Sequence, residues 1–196
     1  MSQTRAKRGE TANRQTRVSA KIPLPKGAQW QKFLKDSKNK DELFHFISQE
    51  LQKQTADSYN QLLTTKADLV LSNKATDLTA LTPCQQEADT RMMLHLHHAA
   101  EQSHTKAYLR TVDSDVVVLA INFFHELGLL ELWIGFGSGK SNKDIPIQHI
   151  AQMLGPQHCI ALPLFHALTG CDVVSEMFGI GKETTWNAWL TYPKGH

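Results

Sequence analysis

Acidic residues stand at the ends of three expected elements: Glu87 with Asp89, Asp113 with Asp115, and Asp172. Each group has a local use. Glu87 and Asp89 suit a first helical turn, where negative charge meets the positive end of the helix dipole, and Glu87 can pair with Arg91 at i+4. Asp113-Ser114-Asp115 suits a turn that caps a helix. Asp172 suits a loop after a helix. Together they suggest more. Two carboxylates at i and i+2 of extended backbone point the same way. Five carboxylates in one small volume repel one another unless cations neutralise them. An all-carboxylate donor set fits Mg²⁺ or Mn²⁺ rather than zinc or copper. Two such ions about 4 Å apart can activate water and stabilise the leaving oxygen of a phosphodiester.

These residues must be positioned by the elements around them. Residues 1–27 read as a basic, flexible arm that ends in Ile22-Pro23-Leu24-Pro25-Lys26-Gly27. Trp30, Phe33 and Leu34, then Phe44, Ile47 and Leu51, predict helices over 29–54 with a polar break at 36–41. Leu69-Val70-Leu71 reads as a strand, and the rest of 55–86 has no clear period. Ala88, Met92, Leu96 and Ala99 predict a helix from Glu87 to about His104. Strands are expected at 107–112 and 130–136, and a loop at 135–143. The apolar stretch 116–127 fits a strand or a buried helix equally. Helices are expected at 147–154, 156–169 and 183–190, with Pro156 in a first turn. Helices alternating with strands imply an α/β domain with a mainly parallel sheet over 87–196. In such sheets, ligand sites gather at the carboxyl ends of strands. Asp113 and Asp115 follow one such end.

Composition narrows the classes. The chain has 196 residues, 41% of them hydrophobic and 20% charged, which suits a folded protein rather than a disordered one. No apolar run reaches the length of a membrane span, and the polar N-terminus has no signal-peptide core. Cys84, Cys159 and Cys171 are odd in number and widely spaced, which suits a reducing intracellular compartment, nucleus or cytoplasm. The net charge of +2 conceals an asymmetry: residues 1–26 carry +6, leaving −4 for the body. Basic arms commonly meet nucleic acid.

Four motifs in order resemble the flap endonuclease (XPG-type) 5′ nuclease superfamily of PIN-like domains. Glu87-Ala88-Asp89-Thr90 resembles its Glu-Ala-Glu-Ala element, and Val112-Asp113-Ser114-Asp115 its Asp-x-Asp. Thr169-Gly170-Cys171-Asp172 resembles its Gly-Cys-Asp, and Phe178-Gly179-Ile180-Gly181-Lys182 its Gly-Ile-Gly turn. The chain looks like a divergent animal branch. The resemblance covers 87–190 and implies a three-layer sandwich around a mainly parallel central sheet. It implies metal-binding roles for Glu87, Asp89, Asp113, Asp115 and Asp172, with Asp113 and Asp115 at the catalytic centre. It implies two Mg²⁺ or Mn²⁺ ions and a DNA partner, with RNA left open. Gly179, Gly181 and Lys182 would grip duplex phosphates through backbone N–H groups and a helix N-terminus. No part of 1–86 matches the family's early strand and acidic residue. The expectation is therefore a truncated or degenerate copy, active as a nuclease or reduced to a nucleic-acid-binding scaffold.

Other signals are weaker. Gly137-Ser138-Gly139-Lys140-Ser141 resembles a phosphate loop, but Ile134 stands where its first glycine belongs. Lys140 and Lys143 remain candidates for DNA phosphate contact. His95, His97, His98 and His104 lie on one helix without a completing zinc ligand set, and read as surface or partly packed residues. Cys171 near His166 could form a thiol–imidazole pair, but reads as packing beside Asp172. Oligomeric state has no sequence signal.

Overall fold

The computed structural model describes residues 18–66, 69–81, 87–170 and 182–191. The chain divides into two compact units, 1–85 and 86–196. In the first, α1 (Ala28–Leu34) and α2 (Ser37–Gln54) are separated where Asp36 caps α2. The Asp36 carboxylate accepts from the Lys38 and Asn39 N–H groups. An antiparallel pair follows, β1 (Leu63–Lys66) and β2 (Leu69–Ser72). Ser48 of α2 donates to the Thr65 carbonyl at 3.1 Å, and Gln52 Nε2 donates to the Thr64 hydroxyl at 3.0 Å, tying the helix to the hairpin. The stretch expected to be a free arm is held at one point, since the Val18 N–H donates to Glu42 Oε1 at 3.1 Å.

The second unit runs α3 (Ala88–Glu101), β3 (Lys106–Thr111), α4 (Ser114–Leu127), β4 (Glu131–Phe136), β5 (Lys143–Pro146), α5 (Ile147–Leu168) and α6 (Lys182–Thr191). The ambiguous stretch 116–127 is helical. Buried Val116, Ala120, Ile121, Phe124 and Leu127 recur at helical spacing, Asp113 caps the start, and Gly128 ends it at φ 75. α5 is broken at Gly155, whose φ of 73 and ψ of 163 separate the two expected helices. α3 buries Met93, Leu96 and His98, while Ala88 is exposed. Of the expected face, Leu96 is buried and Met92 packs on the core, and Met93 and His98 widen that face.

The fold is α/β, but the sheet is mixed. Its order is β3-β4-β5, with β3 parallel and β5 antiparallel to β4. The expected mainly parallel sheet is not shown. The reason is local: β4 and β5 are joined by the short stretch 137–142, too short for a crossover, so the chain must turn back. β5 begins at the last residue of the expected 135–143 loop, and Lys143-Asp144-Ile145-Pro146 lacks the alternating apolar pattern that would have marked it. Leu109, Leu132 and Ile134 face the helices, together with buried Val116, Ile147, Ala151, Cys159 and Leu162. Tyr108, on the opposite face of β3, is 58% exposed. α6 packs on α5 through Trp189, stacked on Phe165 at 4.9 Å between ring centroids, and Trp186. No described helix is long and apolar enough to cross a membrane.

Candidate functional site

Asp113 and Asp115 stand where β3 ends. β3 stops at Thr111, whose hydroxyl accepts the Asp113 N–H at 3.0 Å. Asp113 then folds its own carboxylate over the start of α4 and accepts the Asp115 N–H at 2.9 Å. This corrects one expectation. Asp113 is extended, but Asp115 is already in the first helical turn, so the two are cap and N2 residue rather than parallel strand neighbours. Asp115 is aimed elsewhere: its Oδ1 lies 2.9 Å from Nε2 of His166, on the last turn of α5.

The start of α3 faces the same region. Glu87 occupies its N-cap without a side-chain cap bond, and is exposed. Asp89 is in the first turn and partly buried. Burial pushes the Asp89 carboxyl above the ordinary carboxylate range, and the charges of Asp113, Asp115 and Glu87 push it the same way. The charges of three other expected carboxylates are therefore felt at Asp89. Asp172 lies outside the described residues. Among the described residues, no three His, Cys, Asp or Glu side chains are grouped as an ion requires. The donor chemistry suits a hard cation, while the described geometry holds a looser cluster.

The parallel register brings the basic loop to the same edge. Thr111 pairs with Phe136, and the Gly137 N–H donates to the Thr111 carbonyl at 3.1 Å. The turn carrying Lys140 thus leaves β4 beside the point where Asp113 leaves β3. Gly137 has φ 99, and a Cβ there would meet the Ser141 carbonyl oxygen at 2.8 Å, so the tight turn requires glycine. Lys140 and Lys143 are both exposed. The stretch is a 3-10 turn over Gly139–Ser141 rather than a phosphate loop opening a helix. Gly179 and Gly181 lie outside the described residues. Lys182 opens α6, and its side chain is not described.

His98 is buried, with Nδ1 3.9 Å from Glu101 Oε2, while His97 is exposed and 3.5 Å from Glu101 Oε1. Burial holds the His95 imidazole below its ordinary value, with His98 and Arg91 acting the same way. Cys159 is fully buried, and that burial pushes its thiol up. Cys171 lies outside the described residues. Sequence reasoning missed His166 as a partner of Asp115. The two are 51 residues apart, and neither spacing nor composition links them. No protein-family model, no curated protein and no solved structure matches the chain.

Proposed function

We propose that residues 86–196 form a divalent-metal-dependent, nuclease-like domain acting on phosphodiester bonds of DNA at structured or flap-like sites. One observation carries the reading: burial raises the Asp89 carboxyl, and the charges of Asp113, Asp115 and Glu87, from two helix starts, raise it further. Such crowding is unfavourable in an apoprotein and favourable beside a cation. Glu87, Asp89, Asp113 and Asp115 would hold Mg²⁺ or Mn²⁺, with Asp172, two residues beyond Gly170 in the sequence, completing the set. The ion would supply Lewis acidity toward a phosphoryl oxygen and a lowered pKa for bound water. The N-termini of α3 and α4 add positive potential. Lys140 and Lys143, on the neighbouring turn, offer charge to the phosphate backbone. The parallel β3–α4–β4 unit with acids after β3 supports a PIN-like sandwich as the finer fold. A buried free thiol at Cys159 suits a nuclear or cytoplasmic setting.

Incubating the protein with flap, nicked and single-stranded DNA plus Mg²⁺ or Mn²⁺ tests this. Cleavage by the parent and none by Asp113→Asn/Asp115→Asn supports the proposal. Absence of cleavage, or equal cleavage by both, refutes the enzymatic reading. The second reading is a DNA-binding scaffold without activity. It is favoured by the local commitments of two acidic side chains, Asp113 to the Asp115 N–H and Asp115 to His166. It predicts salt-dependent DNA binding without cutting, with a shallower slope of log affinity on log salt after deletion of residues 1–26. An unchanged slope would remove the basic arm from that account.

A further inference from the structure

We infer that the outer face of the β3–β4–β5 sheet binds single-stranded DNA, with an unpaired base stacked on the Tyr108 ring and a phosphate met by Arg110. This surface needs no metal, and its binding is separable from the cleavage proposed above. Tyr108 and Arg110 of β3, Gly135 of β4 and Asp144 of β5 share the face turned away from buried Leu109 and Ile134. The Tyr108 hydroxyl donates to Asp144 Oδ1 at 2.8 Å. Neighbouring strands lie about 4.8 Å apart, so a phenol rooted on β3 reaches a carboxylate on β5 only by lying along the sheet. Gly135, on the strand between them, makes the room. A Cβ there would collide with the Tyr108 hydroxyl and meet its Cζ at 2.8 Å. One side of the ring therefore rests on bare backbone, and the other faces outward, with Tyr108 58% exposed.

An aromatic ring left open on a sheet is a platform for an unpaired base, since every base has a π-face. Here the ring is held before binding, so little side-chain freedom is lost when a base lands on it. Charge selects the occupant. The Asp144 carboxylate is engaged by the phenol, and Glu131 pairs with Lys106 at 2.6 Å. Arg110 is exposed and stands across from Gly135 in the register. It has no carboxylate partner among the described residues, and its charge acts on the Tyr108 phenol. An aromatic plane beside an unneutralised guanidinium matches a base joined to its phosphate. One stack alone gives affinity no better than about millimolar, which favours a strand over a free nucleotide. The turn with exposed Lys140 leaves β4 at the Arg110 end of the sheet and offers charge to further phosphates. In a duplex the bases stack on one another, so the platform selects single strands.

The test is fluorescence anisotropy of a short labelled oligo(dT) with the whole protein in EDTA, with folding checked by circular dichroism. The parent should bind oligo(dT) more tightly than a duplex of equal length. Tyr108→Phe keeps the ring and should bind within about 3-fold of the parent, whereas Tyr108→Leu, apolar without a π-face, should bind about 5- to 150-fold more weakly. Arg110→Gln should make the slope of log affinity on log salt shallower by about 0.7, the share of one phosphate. A second measurement needs no variant: an oligo(dT) carrying 5-iodouracil, irradiated on the parent, should cross-link at Tyr108, as located by peptide mass spectrometry. No oligo(dT) binding by the parent overturns the proposal, as does equal affinity for duplex. Parent-like binding by Tyr108→Leu, or equal weakening by Tyr108→Phe and Tyr108→Leu, removes stacking and overturns it. An unchanged slope in Arg110→Gln overturns the phosphate contact. If Tyr108→Leu unfolds, the cross-link decides, and attachment elsewhere with none at Tyr108 overturns the proposal. The cleavage reading is scored separately, by metal-dependent cutting, and survives each of these outcomes.

Discussion

Asp113 does two jobs that one pair of substitutions can separate. Its carboxylate caps α4 through the Asp115 N–H at 2.9 Å. Its charge also helps raise the Asp89 carboxyl, after burial as the larger cause. Asn caps as well as Asp, whereas Ala does not cap. Asp113→Asn and Asp113→Ala both remove the charge, so the difference between them isolates the cap. It should be about 1 kcal/mol in urea unfolding, with Asp113→Ala the less stable. That corresponds to about 2–4 °C in Tm. Asp113→Asn should stay within about 1 kcal/mol of the parent in metal-free buffer, because lost helix-dipole attraction opposes relieved repulsion. Asp89 has a folded pKa above its unfolded value. Its charged form therefore opposes folding, with stability lost as pH rises from the ordinary carboxylate value through the raised one. In Asp113→Asn, carboxyl NMR should show Asp89 titrating at lower pH than in the parent. Adding Mn²⁺ at a hundred times its Kd should then stabilise only the parent, by about 2.7 kcal/mol. Equal stability of the Asn and Ala variants refutes the cap argument. An unmoved Asp89 titration refutes the shared field. Equal Mn²⁺ stabilisation of all three refutes Asp113 as a ligand.

Four further outcomes are expected. Gly155→Ala meets open space but occupies a backbone region nearly exclusive to glycine, so it should cost about 1–3 kcal/mol in urea unfolding; an unchanged midpoint would sink the argument. Leu132→Ala, at a fully buried position in β4, should lose about 2–5 kcal/mol, and a loss under about 1 kcal/mol would contradict its place in the core. In a Cys84→Ser/Cys171→Ser background, Cys159 should react with a thiol reagent far more slowly than free cysteine until denaturant is added, since burial favours the protonated thiol; fast native-state reaction would refute this. Tyr108 donates to Asp144 at 2.8 Å, a bond that holds its phenol protonated to higher pH. Asp144→Asn should shift phenolate absorbance to lower pH, and an unshifted curve would refute the contact.

Much of the fold is legible along the chain because it rests on local signals. The helical spacing over 29–54, the break between the expected helices 147–154 and 156–169, and the apolar run of 130–136 mark their elements directly, whereas the caps Asp36 and Asp113 stood in a stretch read as a polar break and a turn. Less legible are elements whose residues follow no period. β5 is short, polar and ends in proline, so only its pairing with β4 defines it. β1 is likewise defined by its antiparallel register with β2. The stretch 116–127 could not be resolved by periodicity, since a run apolar on most sides suits either conformation. Its cap and its packing against α5 decide it.

The candidate site divides the same way. Sequence alone determined the residue types: carboxylates at element ends, a glycine-rich basic turn, and a charge asymmetry between arm and body. Local rules sufficed for that, because caps and turns depend on neighbours in the chain. Tertiary structure decided the partnerships. It brought the starts of α3 and α4 within one electrostatic field, set the Lys140 turn beside Asp113 through the β3–β4 register, and carried His166 to Asp115. It also turned Asp113 and Asp115 to different partners, because helix α4 begins between them rather than after them. Such contacts join residues distant in sequence through the packing of a shared core, which no local pattern encodes.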